Sequence, residues 1–274
     1  MAVSTLIPNP YSQIPGLSAG TRLAFEASIG VFPLANGLVA ALLAPSCAVC
    51  NTILEEPLSG CVCTHCWGAV RHITAPLCDV CGDPLPRMAD RCIQCSYSSR
   101  IVDLSRSVGE YDGVLREIIH AFKYTRRRSL APSLAAHMTS RGNALLDRAD
   151  YLVPVPLHWR REYHRGFNQA RELARHLGRP VLEALVRTRH TRAQVELAAD
   201  RRHANLHGAF EMRRRWFRRS PPIQGAKMLL IDDVSTTGAT LEACAKALKG
   251  AGAAEVYALT AARVVARRAV RLPR

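Results

Sequence analysis

Two kinds of hydrophobic pattern alternate along the chain after about residue 100. Four short, mostly apolar runs have the length and composition of strands: Arg106 to Tyr111, Tyr151 to Pro156, Lys227 to Ile231 and Glu255 to Ala262. Helical spacing of apolar residues between them predicts three helices: Val114 to Phe122, Phe167 to Leu177 and Thr240 to Lys249. This alternation predicts an α/β fold, in which a mainly parallel sheet is flanked by helices on both faces. Ligands of such folds bind beyond the carboxyl ends of the strands.

A different pattern, made of paired cysteines, precedes this region. Eight cysteines form four pairs with two residues between partners: Cys47 and Cys50, Cys63 and Cys66, Cys78 and Cys81, Cys92 and Cys95. This gap lets both thiolates of a tight turn face one ion, and two such turns complete a tetrahedral zinc site. The cysteines therefore predict a small zinc-ribbon-like module that holds two structural Zn2+ ions. We expect pairing in sequence order because it closes the shorter loops, although a cross-braced arrangement satisfies the same spacing.

Other roles for the cysteines are also compatible with the sequence. Disulfides are the main alternative, but they belong to exported chains, and no pattern typical of an export signal is visible. Cys61 and His65 lie inside the cysteine-rich region and could replace a ligand, although a spare thiol and a surface imidazole are the simpler interpretation. We expect Cys244, on a predicted helix, to be a small buried hydrophobic residue rather than a nucleophile.

These patterns divide the chain into four segments. We expect a loosely ordered arm at residues 1–45, the cysteine module at 46–99, the α/β domain at 100–266 and a basic tail at 267–274. Within the arm, Gly37 to Ala44 is expected to form a short helix that packs on the module. The longest weakly polar stretch, Val31 to Ala44, is too short to cross a bilayer as a helix. We therefore expect a cytoplasmic protein without membrane insertion.

The charge of the chain narrows the class of partner. Lys and Arg number 37 against 22 Asp and Glu, which gives a formal net charge of +15, and 48% of the residues are apolar, which excludes global disorder. A basic chain favours polyanions, such as phosphorylated metabolites or nucleic acid. The run Arg213 to Arg219 lies between predicted elements. An exposed loop is the simpler interpretation of this run, and a weak single-stranded nucleic-acid patch is the alternative.

The segment Leu229 to Thr240, LLIDDVSTTGAT, carries the strongest chemical signal. An apolar strand runs into two adjacent carboxylates, Asp232 and Asp233, and a Ser-Thr-Thr-Gly turn then opens a helix. The amides and hydroxyls of the turn, with the positive end of the helix, form a seat for a phosphate monoester, and Gly238 lets the backbone approach closely. The two acids could accept hydrogen bonds from a sugar diol, so that the segment fits a ribose 5-phosphate. The alternative is an ordinary strand-to-helix connection with a threonine N-cap.

At these residues the sequence resembles a known family. LLIDDVSTTGAT is similar to the 5-phosphoribosyl-1-pyrophosphate (PRPP) signature of type I phosphoribosyltransferases. Four further motifs, together with the cysteine pairs, resemble the ComF family of competence-protein-F-like phosphoribosyltransferases: FKY at 122–124, VPVP at 153–156, RRxxHRGFNQA at 160–170 and RRHANLHGAF at 201–210. The resemblance implies a type I phosphoribosyltransferase fold for residues 100–266.

The resemblance also implies roles for single residues. The catalytic group would comprise Asp232, Asp233, Arg165 and Arg202, with the two acids holding the ribose hydroxyls. The turn would bind the 5-phosphate through Ser235, Thr236, Thr237, Gly238 and Thr240. The pyrophosphate would contact the segment after VPVP and the lysine of FKY: Arg160, Arg161, Arg165, Gly166 and Lys123. Gln194 and Arg202 fall in a stretch that matches the mobile loop closing over PRPP, and Mg2+ would help to neutralise the leaving pyrophosphate.

Three functions from different classes remain open on the sequence alone. The first is a Mg2+-dependent phosphoribosyltransferase that transfers ribose 5-phosphate from PRPP to an unidentified acceptor and releases pyrophosphate. The second is an accessory factor in DNA uptake or processing that binds single-stranded DNA or uptake proteins. The third is a PRPP or nucleotide sensor without turnover.

Overall fold

The computed structural model describes most of the cysteine module and of the α/β domain. The described residues are 34–86, 89–125, 127–188, 208–213 and 222–265. Several residues singled out in the sequence lie outside them: Gln194, Arg202, residues 214–219 of the basic run, the tail 267–274 and the arm up to residue 33. No helix in the described ranges has the length and apolar character needed to span a membrane.

A four-stranded parallel sheet lies at the centre of the fold. The strands in chain order are β1 (Leu104–Glu110), β2 (Tyr151–Pro154), β3 (Leu185–Arg187), β4 (Phe210–Met212), β5 (Lys227–Ser235) and β6 (Glu255–Arg263). The sheet has the spatial order β1-β6-β5-β2, and β3 and β4 form a separate antiparallel pair. All four predicted strands are present and pair in parallel, which confirms the predicted fold class.

Among the described residues, five helices lie between or beside the strands of the sheet, and three short ones lie in or just before the cysteine module. In chain order they are α1 (34–43), α2 (Thr64–Gly68), α3 (Ile93–Tyr97), α4 (Gly113–Tyr124), α5 (Ala131–Arg148), α6 (Trp159–Arg165), α7 (Gln169–Ala174) and α8 (Ala239–Gly250). The helix expected at the end of the arm is α1, and its Asn36 Oδ1 accepts a hydrogen bond from Leu58 N at 2.9 Å. Helix α7 starts later than predicted because Asn168 caps it, with Oδ1 accepting from Arg171 N.

Residues of β5 alternate between two hydrophobic cores, as the pleat of a strand requires. Leu229 and Ile231 join the core that contains α4 and α5. Met228 and Leu230 join the core that contains α8. The sheet is therefore covered by helices on both faces, as predicted.

The cysteine module covers the outer edge of β1. Ile73 N donates a hydrogen bond to Val108 O at 3.1 Å, and Ser105 N donates to Val80 O at 2.8 Å. A Cβ atom on Gly82 would lie 2.6 Å from Ser105 O, so a side chain at this position would prevent the approach. The module thus protects a strand edge that would otherwise be open to pairing with another chain.

Candidate functional site

The paired cysteines form two clusters in the predicted sequence order. The first cysteine cluster is Cys47, Cys50, Cys63 and Cys66, and the second cysteine cluster is Cys78, Cys81, Cys92 and Cys95, with all sulfur atoms of a cluster within 4.8 Å of one another. The sulfurs of Cys50 and Cys63 are 3.7 Å apart, and those of Cys81 and Cys92 are 3.6 Å apart. A tetrahedral site with Zn–S bonds of 2.3 Å separates its sulfurs by about 3.8 Å. Both clusters therefore fit a structural Zn2+ ion with a filled coordination sphere.

The remaining cysteines stand apart from the two clusters. The ten cysteines are all free thiols, so the disulfide alternative is not supported. The sulfur of Cys61 lies 3.6 Å from Ser129 Oγ and is not part of a cluster. Cys244 is completely buried in the core that contains α8, as expected of a small hydrophobic residue.

Strand β5 carries the two predicted acids further into the sheet than the sequence suggested. The prediction ended the strand at Ile231, which is wrong. β5 continues to Ser235 because it still pairs with β6, with Asp232 opposite Thr260 and Val234 opposite Ala262. Strand β2, on the other side, pairs with β5 only as far as Ile231. The acids therefore lie where β5 has lost one neighbour, which opens space beside the carboxyl end of β2.

Asp233 is buried and forms a salt bridge with the lysine of the FKY motif. Lys123 Nζ, near the end of α4, lies 2.8 Å from Asp233 Oδ1, and the two side chains are only 13% and 11% exposed. A buried carboxylate needs such a counter-charge, since an unpaired ion in the interior is costly. The expected contact of Lys123 with a pyrophosphate stays a prediction, because the ammonium group has three donors and Asp233 engages only one of its sides.

Asp232 has the most perturbed carboxyl group of the site. Burial raises its pKa to about 7, and the adjacent charge of Asp233 acts in the same direction, against the opposing effects of Lys123 and Arg165. Its Oδ1 accepts a hydrogen bond from Asp233 N at 2.8 Å, and among the described residues it takes part in no salt bridge. Hydroxyl donors or a divalent cation would favour the ionised form of this carboxyl group.

The turn after β5 leads into α8 through a residue with a left-handed backbone conformation. Gly238 is the N-cap of α8 with φ +79°, and no side chain caps the helix. Thr237 Oγ1 accepts only a long hydrogen bond, 3.4 Å, from Ala239 N. The connection is therefore not the threonine-capped one that was the alternative. A helix whose cap residue has no side-chain oxygen leaves its N-terminal end suited to an external anion. Thr236 and Thr240 are half-buried beside it.

Of the three arginines predicted after β2, Arg165 is brought toward Asp232, and Arg161 lies near Arg165. Arg165 ends α6, interacts electrostatically with Asp232, and places its guanidinium 5.5 Å from the ring centre of Tyr124. Arg161 is half-buried, and both burial and the neighbouring charge of Arg165 lower its pKa. Arg160 is instead exposed, with its guanidinium 5.2 Å from the ring centre of Trp159. The basic group near Asp232 thus contains Arg161 and Arg165.

The backbone at the end of α6 also contacts an arginine. Gly166, a predicted site residue, ends α6 with φ +79°, and its carbonyl accepts a hydrogen bond from Arg128 Nη2 at 2.8 Å. Arg187, at the end of β3, joins the same group, because burial and the charge of Arg161 lower its pKa to about 10 while Asp232 acts in the opposite direction. Predicted residues of α4, α6 and β5 therefore lie near one another at the carboxyl end of β5: Lys123, Arg165, Asp232 and Asp233.

Two further arginines flank the turn from the side of the cysteine module, and the sequence analysis did not assign them. Arg100 Nη1 lies 3.5 Å from Glu242 Oε1 and 3.6 Å from the position that a Cβ of Gly238 would occupy. Arg263 Nε lies 3.0 Å from Asp83 Oδ1. Their partners are up to 180 positions away in sequence, and neither arginine lies within a motif. No signal in the sequence links them to the turn.

Two family models match the chain in the regions that carry this geometry. Residues 38–96 match a double zinc ribbon domain. Residues 164–272 match a phosphoribosyl transferase domain. The first match contains both cysteine clusters, and the second contains the acids, the turn and helix α8.

Curated relatives match over most of the chain. The DNA utilization protein YhgH of Salmonella typhimurium is 33% identical over 71% of this chain and 87% of its own length. Competence protein F of Haemophilus influenzae is 31% identical over 77% of this chain and 93% of its own. Competence protein ComFC of Bacillus subtilis is 31% identical over 73% and 82%, respectively. Each of these matches covers more than four fifths of the relative's own length.

Proposed function

Because the chain belongs to the ComF family of type I phosphoribosyltransferase-like proteins, we propose that it uses PRPP to transfer ribose 5-phosphate to an acceptor. Pyrophosphate is the other product, Mg2+ assists, and the acceptor is unidentified. The observation that carries this proposal is the order of residues at the carboxyl end of β5. Asp232 and Asp233 lie just before the turn that leads to Gly238, the N-cap of α8. A diol partner and a phosphate seat at this spacing fit the two ends of a ribose 5-phosphate.

The residues divide into groups that would bind different parts of PRPP. Asp232 would accept hydrogen bonds from the ribose hydroxyls, and Asp233 would do so while Lys123 holds it in place. The turn would bind the 5-phosphate through Ser235, Thr236, Thr237, Gly238 and Thr240. Arg161, Arg165 and Gly166 would face the pyrophosphate, and Gln194 and Arg202 would belong to the closing loop. The guanidinium of Arg160 lies over the ring of Trp159. Arg160 would therefore attract the pyrophosphate through its positive charge rather than by direct contact.

The transfer itself requires charge stabilisation at both ends of a breaking bond. The C1–O bond to pyrophosphate breaks, and its electron pair leaves with pyrophosphate. The acceptor donates a lone pair to C1, and a proton that the acceptor carries is released. Arg161 and Arg165 would stabilise the growing negative charge on the leaving group, and a bound Mg2+ beside Asp232 would supply further neutralisation. The carboxylates near C1 would stabilise the cationic sugar in the transition state.

The reaction is tested by measuring pyrophosphate release from PRPP with Mg2+ in a screen of amines, nucleobases and single-stranded oligonucleotides. We expect release that depends on both PRPP and one acceptor class, and that is lost in Arg165→Gln. Binding of PRPP without release for any acceptor would instead favour a sensor.

The same protein should retain two zinc ions per chain, since both cysteine clusters would be structural. We also propose the domain division at residues 45/46, 99/100 and 266/267, and a cytoplasmic location.

A second function, binding of single-stranded DNA, is favoured by one surface. Helix α6 and the end of α4 expose three aromatic side chains, Tyr124 (60%), Trp159 (66%) and Tyr163 (81%), beside arginines. Exposed aromatic rings interleaved with arginine are the usual means of binding unpaired bases. The relatives named for DNA utilization and competence are consistent with such a role in DNA uptake for this chain.

A variant pair separates this second function from the first. Trp159→Ala with Tyr163→Ala should weaken salt-sensitive binding of an unstructured oligonucleotide, because each stacked base contributes about 1–3 kcal/mol. The matched control, Tyr97→Ala, removes an aromatic ring that is 89% exposed on α3, in the cysteine module. Equal oligonucleotide affinity in both variants would exclude the α6 surface as the binding site.

A further inference from the structure

A cleft lies between the second cysteine cluster and the side of the turn formed by Ser235 and Gly238. About 300 Å3 of space that no protein atom fills lies in it, and part of this space is open to solvent. Its walls come from three parts of the fold: the linker after the second cluster, the strands β1 and β6, and the start of α8. The charged and hydroxyl-bearing residues on these walls are Arg100, Ser105, Ser235, Thr237, Glu242 and Arg263.

The walls of the cleft carry hydrogen-bond donors without acceptors. The Arg100 side chain is only 8% exposed, and within the described chain its Nε and Nη2 atoms are buried without a hydrogen-bond partner. The hydroxyls of Ser105 and Ser235 are buried in the same condition. Guanidinium N–H groups can only donate, and a buried donor without an acceptor is costly. Four such groups around one cleft therefore favour a ligand that is rich in hydrogen-bond acceptors.

The acidic groups nearby leave this requirement in place. Glu242 faces Nη1 of Arg100 at 3.5 Å, on a different nitrogen from the unpartnered ones, and its Oε2 accepts from Ile101 N at 2.7 Å. Asp83 is paired with Arg263. The sulfurs of Cys81 and Cys95 are also near Arg100. Burial alone would lower the pKa of its guanidinium, but the interaction with Cys95 acts to raise it. Both cysteines belong to the second cysteine cluster, where Zn2+ would take the charge of their thiolates.

We propose that this cleft binds a phosphate-sized oxyanion, with Arg100 as its main ligand and Ser105 and Ser235 as hydroxyl donors. The ligand is inorganic phosphate or the phosphate of a phosphomonoester. The site goes beyond the proposed PRPP chemistry, because its cations come from the linker and from β6, outside the PRPP signature. Ser235 and Gly238 line the cleft and also belong to the turn. An anion in the cleft would therefore lie between the second cysteine cluster and the turn proposed to bind PRPP.

The test is a titration of the zinc-loaded full chain with inorganic phosphate at constant ionic strength, followed by calorimetry and by the unfolding temperature. We expect saturable binding that Arg100→Gln weakens by about tenfold or more, as for a lost hydrogen bond to a charged group. Ser105→Ala should weaken it by a smaller factor, with less risk to folding, and both variants should keep two zinc ions. The matched control is Arg179→Gln, which removes an exposed arginine paired with Asp147, outside the cleft.

Two results would overturn the site: no saturable phosphate binding by the wild type, which would mean that the cleft holds only water, or equal affinity in all three variants. A second titration identifies the source of the anion. If PRPP with Mg2+ displaces phosphate competitively, the anion is the phosphate of PRPP itself. If both bind together, the anion is a separate one. Asp232→Asn/Asp233→Asn should retain phosphate binding in the second case, so the cleft is tested even if the chain binds no PRPP.

Discussion

The Nζ atom of Lys123 lies 2.8 Å from Oδ1 of Asp233, and this salt bridge joins helix α4 to the carboxyl end of β5. Both partners are almost fully buried, so the pair differs from the exposed salt bridges of the protein, such as that between Lys249 and Asp103. It holds the second acid of the site in place through the lysine of the FKY motif.

Removing one partner of this pair should destabilise the fold strongly. Lys123→Met leaves Asp233 as an uncompensated buried charge, for which we expect a loss of about 3 kcal/mol in the free energy of unfolding. Lys249→Met, at the exposed pair, should cost less than about 1 kcal/mol. Urea denaturation measures both. The double variant Lys123→Met/Asp233→Asn should regain much of the loss, and equal costs for the two single lysine variants would contradict the assignment.

Asp232 should make stability fall as pH rises toward neutrality. Its folded pKa of about 7 is above the ordinary value of about 4. Between these values the folded state holds more protons than the unfolded state, so the free energy of unfolding decreases with pH. Asp232→Asn removes this effect and should be more stable than the wild type by about 1–3 kcal/mol at pH 8. The difference should vanish near pH 4, and a constant difference across this range would refute the shifted pKa.

Loss of zinc from the second cluster should weaken the whole domain, because Arg263 of β6 donates a hydrogen bond to the carbonyl of Cys81. Cys81→Ser should lower the zinc content from two ions to one and reduce the unfolding temperature. Cys61→Ser, which changes a cysteine outside both clusters, should leave two ions in place. Atomic absorption and thermal denaturation provide the two readouts. Two ions in Cys81→Ser would show that the cluster is not the ligand set.

The left-handed backbone of the turn should be essential for anion binding. Gly238→Val forces a β-branched residue to φ +79° and places a side chain at the start of α8, so PRPP should no longer stabilise the protein. Gly225→Val imposes similar strain at φ +73°, at a position where an added Cβ atom would have no other heavy atom within 4 Å. This control should lower stability but keep the response to PRPP. A response retained in Gly238→Val would remove the turn from the binding site.

The elements of the sheet could be predicted from the sequence where one local signal dominates. The apolar run of β5 and the helical spacing of α4 are visible without tertiary information, and the two-residue gaps of the cysteines specify both clusters. The end of β5 was placed too early because two adjacent acids normally mark the end of a strand. In the structure, pairing with β6 continues through Asp232 and keeps those residues extended.

Other features depend on contacts that no local pattern encodes. Helix α5 was missed although Leu134, Met138 and Leu145 recur on one face, because its small and polar residues weaken the periodic signal. The pairing of Lys123 with Asp233, and the approach of Arg100 to Gly238, join residues more than 100 positions apart. Charge and motif could place Lys123 near the site, but only the packing of α4 on β5 shows which group it contacts.

The central claim, that the two acids and the turn form a PRPP site, is tested most directly by calorimetric titration of the zinc-loaded chain with PRPP and Mg2+. We predict saturable one-to-one binding by the wild type and loss of this binding in Asp232→Asn/Asp233→Asn, a variant that should be less stable because Lys123 loses its partner but should stay folded at the titration temperature with both zinc ions. Equal PRPP affinity in the wild type and the double variant, or no PRPP binding by the intact wild type, would contradict the account.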